Sequence, residues 1–328
     1  MRAAVGIADP AALIADLHAL LPERLDLDVY GMRIAVAATS PEALRRLRMV
    51  YGSFAGSGGG DPDARLALVE KGHRAHARLA RVLRPEDPLA AADGHILVAD
   101  WLDVALSLRD ETLLHYYASK LIRLHLVACQ EPEFLTLHAA SVASGRGRGF
   151  LLVGEAASGK TTLTLRLLDQ GFRFCSDDTT VIRRSDGRCV PFPLAFILRG
   201  GPEGQPPDLP GVRDRDPDLQ LLDEPRWLLP RGGEAGSDFD VDTIFFLHGM
   251  TDRPPGVAEA LSAGEAAMEL LRNVVVPLGR TNPSAERLAA DFHLACDLAG
   301  GARCLSVNST DLSRTLECVC AHAAAVPA

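Results

Sequence analysis

Gly154-Glu155-Ala156-Ala157-Ser158-Gly159-Lys160-Thr161 fits G-x-x-x-x-G-K-[ST], the loop that wraps the phosphates of a nucleoside triphosphate. The chain writes its basic residues almost entirely as arginine: Lys71, Lys120 and Lys160 are the only lysines among 34 Lys and Arg. That one of the three stands where the motif needs it makes the match specific. Upstream, Gly149–Val153 is a short apolar run ending at Gly154, as a buried strand does. Downstream, Thr162–Gln170 carries leucines on one helical face, and Gly171 supplies the stop. A strand, loop and helix in this order present backbone N–H groups and the positive end of a helix dipole to phosphate. In that frame Lys160 reaches the β- and γ-phosphates and the Thr161 hydroxyl ligates Mg²⁺. Gly154, Ala157, Ser158, Gly159 and Thr162 complete the nucleotide-binding set for ATP or GTP.

The rest of the composition limits the partners. With 47% hydrophobic and 23% charged residues, the 328-residue chain can bury a large core. Its net charge is −9 and it has no Lys/Arg block, which argues against nucleic acid. No apolar run has the length needed to cross a bilayer, and Met1–Pro10 lacks the apolar stretch of a signal peptide. A cytoplasmic protein is expected. Seven scattered cysteines without a C-x-x-C predict reduced, partly buried thiols. Metal or disulfide use at Cys318-Val319-Cys320 is the lesser alternative.

Residues 1–130 read as a small α+β domain and 131–328 as the nucleotide domain. The first contains a helix over Ala11–Leu21, a strand over Tyr30–Val36 and a Ser40-Pro41 helix start running to Tyr51. Strands follow near Arg65–Val69, His95–Ala99 and Val104–Leu108. Glu111–Gln130 is the longest helical pattern, with Leu114, Tyr117, Leu121, Leu124 and Ala128 along one stripe. The second domain opens with strands Phe134–His138 and Ala140–Ala143. After the loop helix comes Phe172–Asp178, then a Pro- and Gly-rich excursion over 198–236 that suits a lid. Thr243–Leu247 and Arg303–Val307 read as strands; Ala258–Leu271, Ser284–Leu298 and Leu312–Ala323 read as helices. Alternating strands and helices around the loop predict an α/β architecture.

Phosphoryl transfer needs a metal ligand and a group to take the acceptor's proton. Asp177 and Asp178 are the candidates, because a crossover to a strand parallel to the loop strand would end at the same sheet edge. Neighbouring strand residues point to opposite faces, so one carboxylate can serve Mg²⁺ and the other the acceptor. Asp-Asp-Thr is also common in turns and caps; its place directly after the loop helix favours function.

At these residues the chain resembles the catalytic domain of the HPr kinase/phosphorylase family, whose nucleotide-binding architecture phosphoenolpyruvate carboxykinases share. The resemblance spans Leu137–Val181: His138 before a strand, the loop, a helix ending at Gly171, then Ser176-Asp177-Asp178. It implies that Lys160 and the loop amides cradle phosphate, and that Thr161 and Asp177 serve the metal. It further implies that Asp178 is the base for the acceptor hydroxyl and that His138 orients it or relays its proton. The chain departs from the family at Ala157, where a glycine is usual, and at Thr161-Thr162 in place of Ser-Glu. Ile197-Leu198-Arg199-Gly200 lacks the acid of the family's Glu-Ile-Arg-Gly, and the C-terminal signature of the reverse reaction is missing. HPr itself and phosphorylase activity are therefore not expected. Arg199 and Arg280 are candidate transition-state cations.

The chain is more similar to HPr-kinase-related proteins with a different N-terminal half. Some of these phosphorylate a hydroxyl on a ribosomal precursor peptide, including lasso peptides. The expected function is thus a Mg²⁺-dependent kinase acting on a Ser or Thr hydroxyl of a peptide or small protein, with homo-oligomer formation left open. A small-molecule or carboxykinase-like enzyme, and a nucleotide-sensing module without chemistry, are the alternatives.

Overall fold

The computed structural model describes residues 3–6, 9–56, 60–82, 94–102, 104–145, 147–201, 204–209, 212–221, 224–230, 237–249, 254–276 and 284–325. The chain opens with β1 (Ala3–Gly6), α1 (Pro10–Leu20), β2 (Glu23–Val29), β3 (Met32–Ala38) and α2 (Pro41–Tyr51). Next come β4 (Ala64–Val69), α3 (Arg74–Val82), β5 (His95–Ala99), β6 (Val104–Leu108) and α4 (Glu111–Gln130). The loop region holds β7 (Phe134–Leu137), β8 (Ala139–Ala143), β9 (Gly149–Val153), α5 (Lys160–Asp169), β10 (Arg173–Ser176), β11 (Thr180–Arg183) and β12 (Cys189–Val190). Then follow β13 (Phe196–Arg199), β14 (Leu219–Leu221), β15 (Glu224–Leu229), β16 (Val241–His248) and β17 (Ala258–Ala260). The chain closes with α6 (Ala263–Arg272), α7 (Ala285–Gly301), β18 (Arg303–Asn308) and α8 (Leu312–Ala325). The fold is mixed α/β with several sheets.

Two compact units divide the chain: Met1–Leu126 with Ala195–Arg231, and Val127–Leu194 with Gly232–Ala328. In the first, six strands run β1-β6-β5-β4-β3-β2. β2 alternates strictly, burying Leu25, Leu27 and Val29 and exposing Arg24, Asp26 and Asp28. Leu13, Ile14 and Leu17 of α1, with Ala75 and Leu79 of α3, pack on Ala67, Val69, Ile96 and Val98. α2 starts where its sequence directs: Ser40 Oγ accepts the Ala43 amide at 3.1 Å, and Pro41 fills the first helical position.

The sequence places one break near residue 130, whereas contacts assign 195–231 to the first unit. The physical reason is a small antiparallel sheet, β13-β15-β14, that belongs with α2. The Ala195 amide donates to Val50 O at 3.1 Å, and Arg45 faces Asp218 at 3.9 Å. α4 also differs from expectation. Its buried side is Leu114, His115, Ala118, Ile122 and Leu126, while Tyr117, Leu121, Leu124 and Ala128 are only partly covered. His115 reaches Glu111 at 3.2 Å and His125 stacks on Trp101, so both are occupied locally.

The second unit is built on a sheet of order β10-β8-β9-β16-β18-β17. β8 is antiparallel to both β9 and β10, so β10 runs parallel to β9 with one strand between them. β16 is parallel to β9, and β18 to β16. The C-terminal ends of β9, β10, β16 and β18 therefore share one edge, where α/β sheets bind ligands. Phe150, Leu152, Phe245, Leu247 and Leu305 pack under Leu163 and Leu167 of α5 and Val319 of α8. On the opposite face Leu151, Val153, Ile244 and Phe246 meet Ala266 and Leu270 of α6 and Leu294 and Leu298 of α7. The helix expected from Ala258 begins only at Ala263, because β17 pairs with β18 and a Ser262–Glu265 capping box starts α6.

Candidate active site

The loop leaves β9 at Gly154, whose Cα faces the carbonyl of Leu247 so closely that a Cβ would lie 2.7 Å from that oxygen. Gly159 closes the loop at φ 90°, a left-handed conformation that glycine adopts freely, and it caps α5. Ala157 also sits left-handed, at φ 67°, although it carries a Cβ. Ser309, just beyond β18, ties the loop to the sheet: its hydroxyl lies 2.9 Å from Ser158 O and 3.2 Å from His248 O. Ser158 Oγ is buried and has no hydrogen-bond partner among the described residues.

Lys160, the first residue of α5, is buried with its ammonium folded back over the loop. Its Nζ donates to Gly154 O at 2.5 Å and Glu155 O at 2.8 Å, and stands 3.3 Å from His138 Nε2. Burial lowers the lysine's pKa, while Asp178, Asp177 and Glu155 pull it back up. His138 breaks the expected strand. β7 and β8 belong to different sheets, and His138 is the joint between them, its amide donating to Asn273 O at 2.7 Å. The far side of its ring, Nδ1, lies 3.2 Å from Asp178 Oδ1 and 3.3 Å from Asp178 O.

The two aspartates are not on a strand, as the sequence suggested. β10 ends at Ser176, and both stand on the turn beyond it, with Asp178 left-handed at φ 60°. The turn, not strand alternation, sends their side chains apart. Asp177 is 7% exposed and accepts from Thr161 Oγ1, which lies 3.0 Å from Oδ2 and 3.2 Å from Oδ1. Burial and then the neighbouring Asp178 charge push the Asp177 carboxyl up to about 7, against the pull of Thr161 and Lys160. The Asp178 side chain is 48% exposed, which leaves one of the two carboxylates open to an incoming group.

The structure thus gathers His138, Lys160, Thr161, Asp177 and Asp178 at one edge of the second unit's sheet. Ala157 and Thr162 are exposed on the loop and first helical turn, whereas Ser158 is buried. Arg199 is an exposed residue of β13 in the first unit, and Arg280 lies outside the described residues. Ser309 had no sequence signal, because a lone serine after a strand is ordinary. All seven cysteines are free. Among the described residues no helix is long and apolar enough to cross a membrane, and no group of three or more His, Cys, Asp or Glu could hold a metal ion.

No family model matches the chain, and no curated protein does. Among solved structures, the Hpr(Ser) kinase/phosphatase from Coxiella burnetii is similar over 48% of this chain and 86% of its own, at 19% identity. The TM-score is 0.19, a superposition too poor to carry weight for fold or function.

Proposed function

We propose that the second unit is the catalytic module of a Mg²⁺-dependent kinase that moves the γ-phosphoryl group of ATP or GTP to a Ser or Thr hydroxyl of a peptide or small protein. The observation that carries this is the chain Lys160–His138–Asp178, with steps of 3.3 and 3.2 Å. It connects the residue of the phosphate motif to a half-exposed carboxylate, the pairing that phosphoryl transfer needs.

The loop's residues fit a triphosphate. Gly154 and Gly159 give the backbone its close turn, and Ser158 Oγ is a buried donor without an acceptor among the described residues. On binding, phosphate oxygens would replace the Gly154 and Glu155 carbonyls as partners of the Lys160 ammonium. Thr161 and Asp177 would hold Mg²⁺, whose hard, hydrated character suits two protein oxygens with water and phosphate filling the remainder. The metal would neutralise charge on the transferring phosphates. Asp177 must be ionised for that role, and a cation beside it favours ionisation.

Asp178 would take the proton of the acceptor hydroxyl. The acceptor oxygen then bonds the γ-phosphorus as the bond to the β–γ bridging oxygen breaks, and the diphosphate leaves with that electron pair. His138 would hold Asp178 in place from the loop side. A peptide acceptor, including a lasso-type precursor, is supported by the chain's resemblance to HPr-kinase-related proteins with a different N-terminal half, some of which phosphorylate a hydroxyl on a precursor peptide.

Incubation with γ-labelled ATP and Mg²⁺, against a set of Ser- and Thr-containing peptides and a parallel set of small hydroxyl metabolites, tests the assignment. Label should enter peptide. Label in metabolites alone would make the protein a small-molecule kinase, and nucleotide binding without any transfer would make it a sensor.

A further inference from the structure

The turn that carries the two aspartates is held by a strand irregularity and a buried hydroxyl chain. β10 pairs with β8 through Arg173↔Ala143 and Phe174↔Val142, and then Ser176↔Ser141. Cys175 is therefore the extra residue of a β-bulge. In unbulged register Cys175 would face Ser141, and Ser176 would face Ala140. A one-residue slip sends every following side chain to the other side of the strand. The bulge places Ser176 Oγ 2.6 Å from Ser141 Oγ and 2.7 Å from Thr180 Oγ1. Thr180 Oγ1 donates to Ala139 O at 2.9 Å. A hydroxyl has one proton, so the chain runs one way: Ser141 donates to Ser176, Ser176 to Thr180, and Thr180 to the carbonyl. All three residues are fully buried.

This chain clasps Asp177-Asp178-Thr179 at both ends, through Ser176 and Thr180. It also anchors the turn to the residue next to His138. Buried polar chains that are fully satisfied rigidify their surroundings, because any displacement strands a donor.

We infer that Ser141, Ser176 and Thr180 are positioning residues whose hydroxyl chain, seated by the bulge at Cys175, fixes which aspartate meets Thr161 and which meets His138. The inference rests on the kinase assignment of Asp177 and Asp178 for its functional meaning. A turn freed to slip by one residue would lose the division between a buried carboxylate at Thr161 and an open one at His138.

The test uses the full chain with Thr180→Val, which deletes the hydroxyl at similar shape, and Thr180→Ser, which keeps it. Each variant is crystallised, and its ATP affinity is measured with Mg²⁺ and with EDTA. In Thr180→Val, the Thr161–Asp177 and His138–Asp178 contacts should open beyond hydrogen-bond range. The Mg²⁺-dependent gain in ATP affinity should fall by about 10–100-fold, as when the surroundings that orient a metal ligand are disturbed. Affinity in EDTA should stay near wild type, and Thr180→Ser should keep both contacts and the gain. A Thr180→Val structure with both contacts intact, or a Thr180→Ser variant as impaired as Thr180→Val, overturns the inference. If the wild type shows no Mg²⁺-dependent ATP binding, the kinase assignment fails, and the two crystal contacts alone decide the positioning role. Should Thr180→Val not fold, Ser141→Ala cuts the chain at its other end and is judged by the same contacts.

Discussion

Lys160 Nζ lies 3.3 Å from His138 Nε2, and the loop lysine thereby sets the state of the imidazole. An ammonium only donates, so Nε2 must accept and Nδ1 must carry the proton. That proton faces Asp178 Oδ1 at 3.2 Å. One histidine therefore bridges the loop lysine and the more exposed of the two carboxylates.

His138→Ala should lower kcat for phosphoryl transfer by at least about tenfold, short of the roughly 10²–10⁴ lost with a general base itself. Its KM for ATP should change little, because Lys160 keeps its place. Steady-state kinetics on the labelled-phosphate assay read both; an unchanged kcat would remove His138 from the site.

Lys160→Ala removes a charge-assisted partner for phosphate, of which the typical worth is about 1.5–3 kcal/mol. Triphosphate affinity in calorimetry should weaken by about 10–100-fold. Binding equal to wild type would refute the role given to the loop.

Ala157→Gly should leave the protein as stable or make it more so, by up to about 1 kcal/mol. A left-handed non-glycine residue costs roughly 1–2 kcal/mol, and glycine returns part of that relief as chain entropy. Denaturant unfolding of the two proteins measures the difference, and a loss of stability would contradict the φ of 67°.

Asp177 has a folded pKa of about 7, above the ordinary 3.8 of an unfolded aspartate. Raised on folding, the group stabilises the protein fully below the unfolded value, and that contribution is lost as pH rises to 7. Asp177→Asn should therefore raise Tm over wild type strongly near about pH 8 and little near about pH 4. Added Mg²⁺ should raise the Tm of wild type with ATP at the higher pH and do less for the variant. Equal Tm differences at both pH values would contradict the burial of an ionisable Asp177.

Much of the second unit was legible because its signals are local. The loop motif, the strand before it and the leucine face after it all lie within a few turns of chain. In the first unit the cap at Ser40 likewise names its own helix. What escaped depends on distant partners. β17 reads as helix because Ala-Glu-Ala favours it, yet pairing with β18 overrides that propensity. The bulge at Cys175 follows from register against β8, which no single segment encodes. His138 was placed at a strand end, but its place as a joint between two sheets needs β7 and β11 to pair first. β2 is different: the strict alternation of Glu23–Val29 is itself a local strand signal.

Asp178→Asn bears most directly on the kinase assignment. The substitution keeps the side chain's shape and its contact toward His138 while removing the base. Transfer of labelled γ-phosphate to a peptide Ser or Thr should fall by about 10²–10⁴ relative to wild type, with MgATP affinity by calorimetry unchanged. Transfer at the wild-type rate would show that Asp178 does not take the acceptor's proton, and the assignment would have to be abandoned.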